Sequence, residues 1–480
     1  MEVKSDLDVF LKAGSVAVIG ATERPGSWGS FIMGGLLSRD YSGKIYPVNR
    51  RADRVFGLPA FKDVREINDS VDLAVLTIPE EYVEEAITSC GQKQVKGITI
   101  VTAGFAETSE DGKARQKAIV KLARSYGMRL LGPNVSGSFN LHAEFNASAA
   151  REGSVMPTAL AAVCQGGFAF YDLLTSGYSR GMGVGKFIHT GNECDLTVTD
   201  FLEYFAQDHE VKGILMYLET IRDGKRFIHI ASEVTKTKPI VVYKGGRTPG
   251  SSRAAQSHTG ALSGTKEIYE GLFNQAGISI SPTMEILIPL GHALIERPPM
   301  RGRRVAIITL GGSWGVALSD SLEEEGLLLP ELSSKVQKSL RSLGLRARAS
   351  TRNPVDMGAS GLYTSVDLML AVGREILSSG DVDALILHGV GRAGMLKEDS
   401  PPQHRVFVDI EKRIIRGYSE LEKETDRAVL IGTLPTLWES QVVSDLNKEG
   451  IRIYNRLDET AQLLSLMHDY WRRKHDRGLH

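Results

Sequence analysis

The sequence predicts an α/β protein built from three consecutive doubly wound domains. Short apolar runs alternate with helical segments along the 480 residues, a glycine turn follows the opening strand of each block, and a polar, proline-containing linker precedes the last block. A chain of this length also exceeds what one hydrophobic core organises.

The first block, residues 1–130, reads as strands at SVAVIG (15–20), KIYPVN (44–49), LAVLTIP (73–79), GITIVTAG (97–104) and RLLGPN (129–134), each bounded by Gly, Pro or Asn. Helical segments such as EEYVEEAITSCGQ lie between them, the rhythm of a buried parallel sheet. The second block, 131–297, carries strands in TALAAVC, GKFIHTG, VKGILMYLE and KPIVVYKGG, and closes at the linker IERPPMRGRR. The third, 298–480, starts with RVAIITLGG and continues with DALILHGVG and RAVLIGTLP.

Composition narrows the functional classes. Hydrophobic content of 42% and charged content of 24% are ordinary for a globular protein. Fifty-seven basic against 58 acidic residues speak against nucleic-acid or membrane-surface partners. No run approaches the roughly 18 apolar residues of a membrane span. MEVKSDLDVFLKAGS lacks the apolar core of a signal peptide. Cys90, Cys164 and Cys194 have no metal-ligand spacing, so no resident metal is expected and a reducing cytoplasm is. The basic end WRRKHDR reads as a solvated helix terminus.

The glycine turns carry the first chemical signal. VAVIGATERPGSWG joins the first strand to the first helix, where free N–H groups and the helix dipole attract anions. It is not GxGxxG. The next strand ends in Asn49-Arg50-Arg51 rather than the acid that holds the ribose of NAD. Two arginines suit an extra phosphate, such as the 3′-phosphate of coenzyme A or the 2′-phosphate of NADP, with plain surface charge as the alternative. The second block has Cys164-Gln165-Gly166-Gly167 at its turn and the third Gly311-Gly312-Ser313. Such glycines also serve packing alone. GMGVGKF (181–187) is not a P-loop: Phe187 stands where Ser or Thr is needed.

The most unusual stretch is IVVYKGGRTPGSSRAAQSHTGALSG, small and polar residues surrounding His258. Composition alone describes a surface loop with little steric bulk. Together with its neighbours, however, RAAQSHTGALSG resembles the phosphohistidine loop of the ADP-forming acyl-CoA synthetases, relatives of the succinyl-CoA synthetase α chain. The resemblance runs along the chain through GATERPGSWG, KIYPVNRRADRVFGLPAF, VDLAVLTIP, GITIVTAGFAE, LLGPN, YLETIRDGKRF and NPVDMGASG.

That resemblance implies a Rossmann-like CoA-binding domain followed by two flavodoxin-like domains. It implies His258 as the phosphorylated residue and Glu219 as the carboxylate on its other ring nitrogen. Helix N-termini at Cys164, Gln165, Gly166 and Gly167, and at Gly311, Gly312 and Ser313, would bind the phosphoryl group. Gly20, Ala21, Thr22, Ser27, Asn49, Arg50, Pro79, Ala103, Gly104 and Asn134 would bind coenzyme A. ATP-grasp domains match nothing in the chain. The implied partner is therefore a separate ATP-grasp β subunit in an α2β2 assembly, holding ADP or ATP with Mg2+. Inorganic phosphate and a small carboxylic acid, or its CoA thioester, are the implied substrates.

The chain departs from the family pattern at Cys164-Gln165-Gly166-Gly167, where Ser-Gln-Ser-Gly is usual, at Val135 for a common cysteine, and at Arg50 for a proline. Trp314 and Phe168 add bulk beside the expected acyl-phosphate pocket, which puts the usual acetate preference in question. A non-catalytic CoA-binding regulatory protein of the same fold is the alternative. An NADP-dependent dehydrogenase lacks its dinucleotide turn.

Overall fold

The computed structural model describes residues 6–150, 156–248, 250–251, 266–358 and 365–478, the side chain of Phe168 excepted. His258 and its loop lie outside the described residues. The chain divides into two compact units, residues 1–175 with 183–291, and residues 176–182 with 292–480.

The first unit holds two sheets. Strands β1 (Ser15–Ile19), β2 (Lys44–Val48), β5 (Leu73–Leu76), β6 (Gly97–Ile100) and β7 (Arg129–Leu131) form a parallel sheet in the order β2-β1-β5-β6-β7. β3 (Arg54–Val55) and β4 (Leu58–Pro59) pair as a small separate hairpin. LAVL and GITI are buried throughout, as strands covered on both faces must be. The strand order reverses between β1 and β5, which leaves a crevice at their carboxyl ends.

The second sheet of this unit has the order β14-β13-β12-β10-β11-β8-β9. Its parallel part is β10 (Leu160–Cys164), β11 (Lys186–His189), β12 (Gly213–Leu218), β13 (Ile240–Lys244) and β14 (Ser279–Ile280). Here the structure adds what the expected all-parallel block lacked. β8 (Gly137–Asn140) and β9 (Phe145–Ser148) form an antiparallel hairpin on the β11 edge. Phe139 and Phe187 stack at 5.3 Å across that junction. The hairpin carries the packing of the two sheets. The Gly-rich helix Trp28–Leu37 lies against β9 so closely that a Cβ on Gly35 would sit 2.7 Å from the Asn146 and Ser148 carbonyl oxygens. A side chain there would force the layers apart.

The second unit holds β15 (Val305–Thr309), β16 (Val355–Asp356), β17 (Ala384–His388) and β18 (Ala428–Gly432), parallel in the order β16-β15-β17-β18. Among the described residues, six helices flank it, from Gly312–Glu324 to Leu457–Asp476. A buried ionic network ties its parts. Arg297 bonds Glu422 at 2.9 Å, Arg180 bonds Glu459 at 2.5 Å, and Glu296 pairs with His292 and Arg452. No described helix is long and apolar enough to cross a membrane.

This network sets a pH dependence. Burial raises the Glu296 carboxyl, but the His292 hydrogen bond and the fields of His292, Arg452 and Arg297 outweigh it and hold the group down to about 2. A depressed folded-state value stabilises above the unfolded value of about 4.3 and is lost as pH falls toward 2. Acid titration of wild type against Glu296→Gln, followed by circular dichroism, should show about 3 kcal/mol more lost across that window in the wild type than in the variant.

Candidate active site

The carboxyl ends of the first sheet open into two cavities. One, of about 380 Å³, is lined by Gly20, Asn49, Arg50, Arg51, Pro79 and Tyr82 among others. Gly20 takes φ +96°, and a Cβ there would lie 2.8 Å from the Thr77 carbonyl oxygen, so the turn can pass only without a side chain. Asn49 organises the turn: its Nδ2 donates to the Ala21 carbonyl and its Oδ1 accepts the N–H groups of Arg51 and Ala52. Thr22 accepts the Arg24 N–H, and Ser27 caps the helix Trp28–Leu37. Arg50 is paired with Glu85 at 2.7 Å and lies over the Tyr82 ring. Cations beside a glycine turn and an aromatic face fit the phosphates and base of a nucleotide-bearing ligand.

The larger cavity, about 870 Å³, lies within the first unit and shares Ile78 with the smaller one. Ala103 and Asn134 line it, while Gly104 stands beside them with its N–H on Glu107. Of the expected CoA set, Gly20, Asn49, Arg50 and Pro79 line the smaller cavity and Ala103 and Asn134 the larger, while Ala21, Thr22, Ser27 and Gly104 line neither. Gly166, Gly167, Tyr217 and Glu219 line the same large cavity from the second sheet. Glu219 is 6% exposed. Its position follows from strand order, since β10 and β12 are neighbours whose carboxyl ends carry the turn and the acid.

Three groups hold Glu219 in place. Gln165 Oε1 accepts the N–H groups of Glu219 (2.6 Å) and Thr220 (3.0 Å), and Gln165 Nε2 donates to the Thr220 carbonyl. The side-chain amide thus imitates a strand edge. Tyr217 Oη donates to Glu219 Oε1 at 3.1 Å. Burial and the neighbouring carboxylate push the Tyr217 hydroxyl far above its ordinary range, so it stays a donor. Lys244 Nζ donates to the Glu219 carbonyl at 2.7 Å. Gln165 and Cys164 lie outside the cavity lining: Gln165 works on the Glu219 backbone, and Cys164 ends β10 with its thiol buried.

The structure also gives the reason for the unusual glycine pair. A Cβ on Gly167 would lie 2.6 Å from His189 Nδ1 and would collide with Ser136 Oγ, and one on Gly166 would lie 3.0 Å from the Tyr217 ring. His189 is fixed, because Nδ1 accepts the Ser136 N–H at 2.8 Å, which leaves the proton on Nε2 for the Gln165 carbonyl at 3.0 Å. Gly167→Ala should therefore lower stability by about 1–3 kcal/mol, read as a fall in melting temperature. Neither His189 nor Tyr217 stood out in the sequence. Both end or nearly end buried strands, where a polar residue is the only signal.

Lys186 of GMGVGKF is 1% exposed and paired with Asp208 and Glu210, a structural cation. In the second unit, Gly311 starts the helix Gly312–Glu324, and Thr309 Oγ1 accepts its N–H. Trp314 folds back across this turn, edge-on to His388 at 5.4 Å and beneath Arg392 at 4.8 Å. Burial and then Arg392 lower His388 to about 4, so its ring is neutral.

Comparisons with known proteins agree with this architecture. A CoA binding domain model matches residues 14–138, and a succinyl-CoA ligase like flavodoxin domain model matches 157–294. The chain is 37% identical over 461 residues to the acetate–CoA ligase [ADP-forming] II subunit α of Pyrococcus furiosus, covering 95% of this chain and 96% of that one. It is 33% identical to the I subunit α of the same organism, over 98% and 99% of the two chains. A dinucleotide-forming acetyl-coenzyme A synthetase of Ca. Korarchaeum cryptofilum, solved with phosphate and ADP, superimposes with a TM-score of 0.82 at 29% identity, covering 99% of each chain. A two-sheet first unit, an acid and a glycine turn in one cavity, and likeness along almost the full length converge: the chain belongs to the family of ADP-forming acetate–CoA ligase α subunits.

Proposed function

We propose that this chain is the CoA-binding, phosphohistidine-carrying α subunit of an ADP-forming acyl-CoA synthetase. The observation that carries the reading is the meeting of Glu219 with the Gly166–Gly167 turn in a cavity that also takes Ala103 and Asn134 from the CoA-type domain. The reaction interconverts acyl-CoA, ADP and phosphate with carboxylic acid, CoA and ATP. A phosphate oxygen attacks the thioester carbonyl and the thiolate leaves. A His258 ring nitrogen then takes the phosphoryl group from the acyl phosphate, releasing the carboxylate, and ADP takes it from the histidine.

Glu219 orients and supports the imidazole as it gains charge. Backbone N–H groups of the Gly166–Gly167 turn neutralise the phosphoryl oxygens, and the Gly311–Ser313 turn forms a second anion site in the other unit through the N–H groups of Gly312 and Ser313, since that of Gly311 is held by Thr309. Gly20, Ala21, Thr22, Ser27, Asn49, Arg50, Pro79, Ala103, Gly104 and Asn134 hold coenzyme A. ADP or ATP, with Mg2+, belongs to a separate ATP-grasp β subunit in an α2β2 enzyme of the cytoplasm. The match to α subunits over 96% and 99% of their own length supports a distinct partner.

The test is incubation of the chain and its β partner with ATP labelled in the γ-phosphate. Acid-labile, base-stable label is expected on the wild type and none on His258→Asn. An active partner that leaves the wild type unlabelled would favour the regulatory reading.

A further inference from the structure

The large cavity holds more positive charge than its known parts require. Among the described residues its charged lining side chains are Glu219, Lys244 and Arg247, two cations against one carboxylate. Lys244 is 3% exposed, with its ammonium on the Glu219 and Gly245 carbonyls and 4.3 Å from the centre of the Tyr269 ring. Arg247, half-buried, donates to the Pro282 carbonyl and stacks on Tyr243 at 4.9 Å. Among the described residues neither forms an ion pair with a carboxylate. Carbonyl oxygens and ring faces are weaker partners than a full negative charge, so burying an ammonium on them alone is costly.

The pair also stands where an anion would pass. β13, β12 and β10 are consecutive in the sheet, so Lys244, Glu219 and the Gly166–Gly167 turn line up along one edge. Tyr217 spans the interval: its ring meets Gly166, and its hydroxyl would lie 3.3 Å from a Cβ on Gly245. The Tyr217 and Tyr243 rings stack at 5.8 Å and continue the row to Arg247.

We infer that Lys244 and Arg247 form a side-chain seat for the phosphoryl group, on the other side of Glu219 from the glycine turn. The inference rests on the acyl-phosphate reading and adds to it two binding residues that act by charge rather than by backbone N–H groups. A phosphoryl group suits the seat better than the acid's carboxylate, because it carries more charge and because the glycine turn on the same edge also binds phosphate. Burial lowers the Lys244 ammonium to about 8 against the raising field of Glu219, and Arg247 lowers it further. Among the described residues, the other titratable groups around the cavity are Tyr217, Tyr243, Tyr269 and His189, whose Nδ1 accepts the Ser136 N–H.

The experiment is titration of the full chain with inorganic phosphate, and separately with acetate, at constant ionic strength, followed by calorimetry. Lys244→Met and Arg247→Gln should each weaken phosphate about tenfold or more, while Lys244→Arg should stay near wild type. Phosphate affinity of the wild type should fall as pH rises through 8, and that fall should vanish in Lys244→Arg, a response a merely structural lysine would not give. Arg247→Gln is half-exposed and keeps the test alive if Lys244→Met fails to fold. Unchanged phosphate affinity in both variants, or loss of acetate binding instead, overturns the seat. His258-dependent labelling of the wild type alongside such a result would leave the acyl-phosphate reading intact and sink the seat alone.

Discussion

Glu219→Gln should lower turnover by about a hundredfold or more, with little change in melting temperature. The substitution is nearly isosteric. Its N–H would still meet Gln165, its carbonyl would still accept from Lys244, and its amide oxygen could still accept from Tyr217. What disappears is the negative charge that, in the proposed mechanism, supports a phosphorylated imidazole. The loss should therefore fall on kcat and on the steady-state level of labelled histidine. KM for CoA should change less than kcat, because Gly20, Asn49, Arg50 and Pro79 line a cavity that Glu219 does not reach. A KM effect as large as the kcat effect would show that Glu219 serves binding rather than phosphoryl transfer.

Arg297→Met should destabilise the second unit by about 3–5 kcal/mol, read by chemical denaturation. Arg297 and Glu422 have side chains only 6% and 5% exposed, and Glu422 also accepts the Val429 N–H at 2.7 Å. Removing the guanidinium leaves a buried carboxylate with a single backbone bond. The double variant Arg297→Met/Glu422→Leu should recover most of the loss, since it removes the stranded charge as well. If the single variant costs no more than the double, the ion pair is not what the site depends on.

The long parallel strands were legible because buried parallel strands leave continuous apolar runs between glycine turns, whereas the two-residue strands β14 and β16 leave no such run. SVAVI, LAVL, GITI, LAAVC and AVLIG each became a strand where the runs placed them. The hairpin β8–β9 was not legible. GSFN and FNAS mix polar and apolar residues over only four positions each, and they are strands because β11 and the helix Trp28–Leu37 pack against them. The site was legible in part. Glu219 and the glycine turn sit at strand ends, where doubly wound folds collect ligands, so local pattern and position agreed. Lys244, Arg247, Tyr217 and His189 enter the same cavity only through strand order, which no local window reveals. Gln165 was expected on phosphate and is found on the Glu219 backbone, because a side-chain amide beside two free N–H groups completes a strand edge.

Ile78, the wall shared by the two cavities, has a practical consequence for redesign. Under the proposed reading, a substitution there would reshape the space around the expected CoA residues and the space around Glu219 in one step, so a change of acid selectivity made at this position would also disturb the carrier. Val135, Ala169 and Met284 border only the larger space. Libraries that seek a new acid should vary these three and leave Ile78 fixed, so that the smaller cavity keeps its shape.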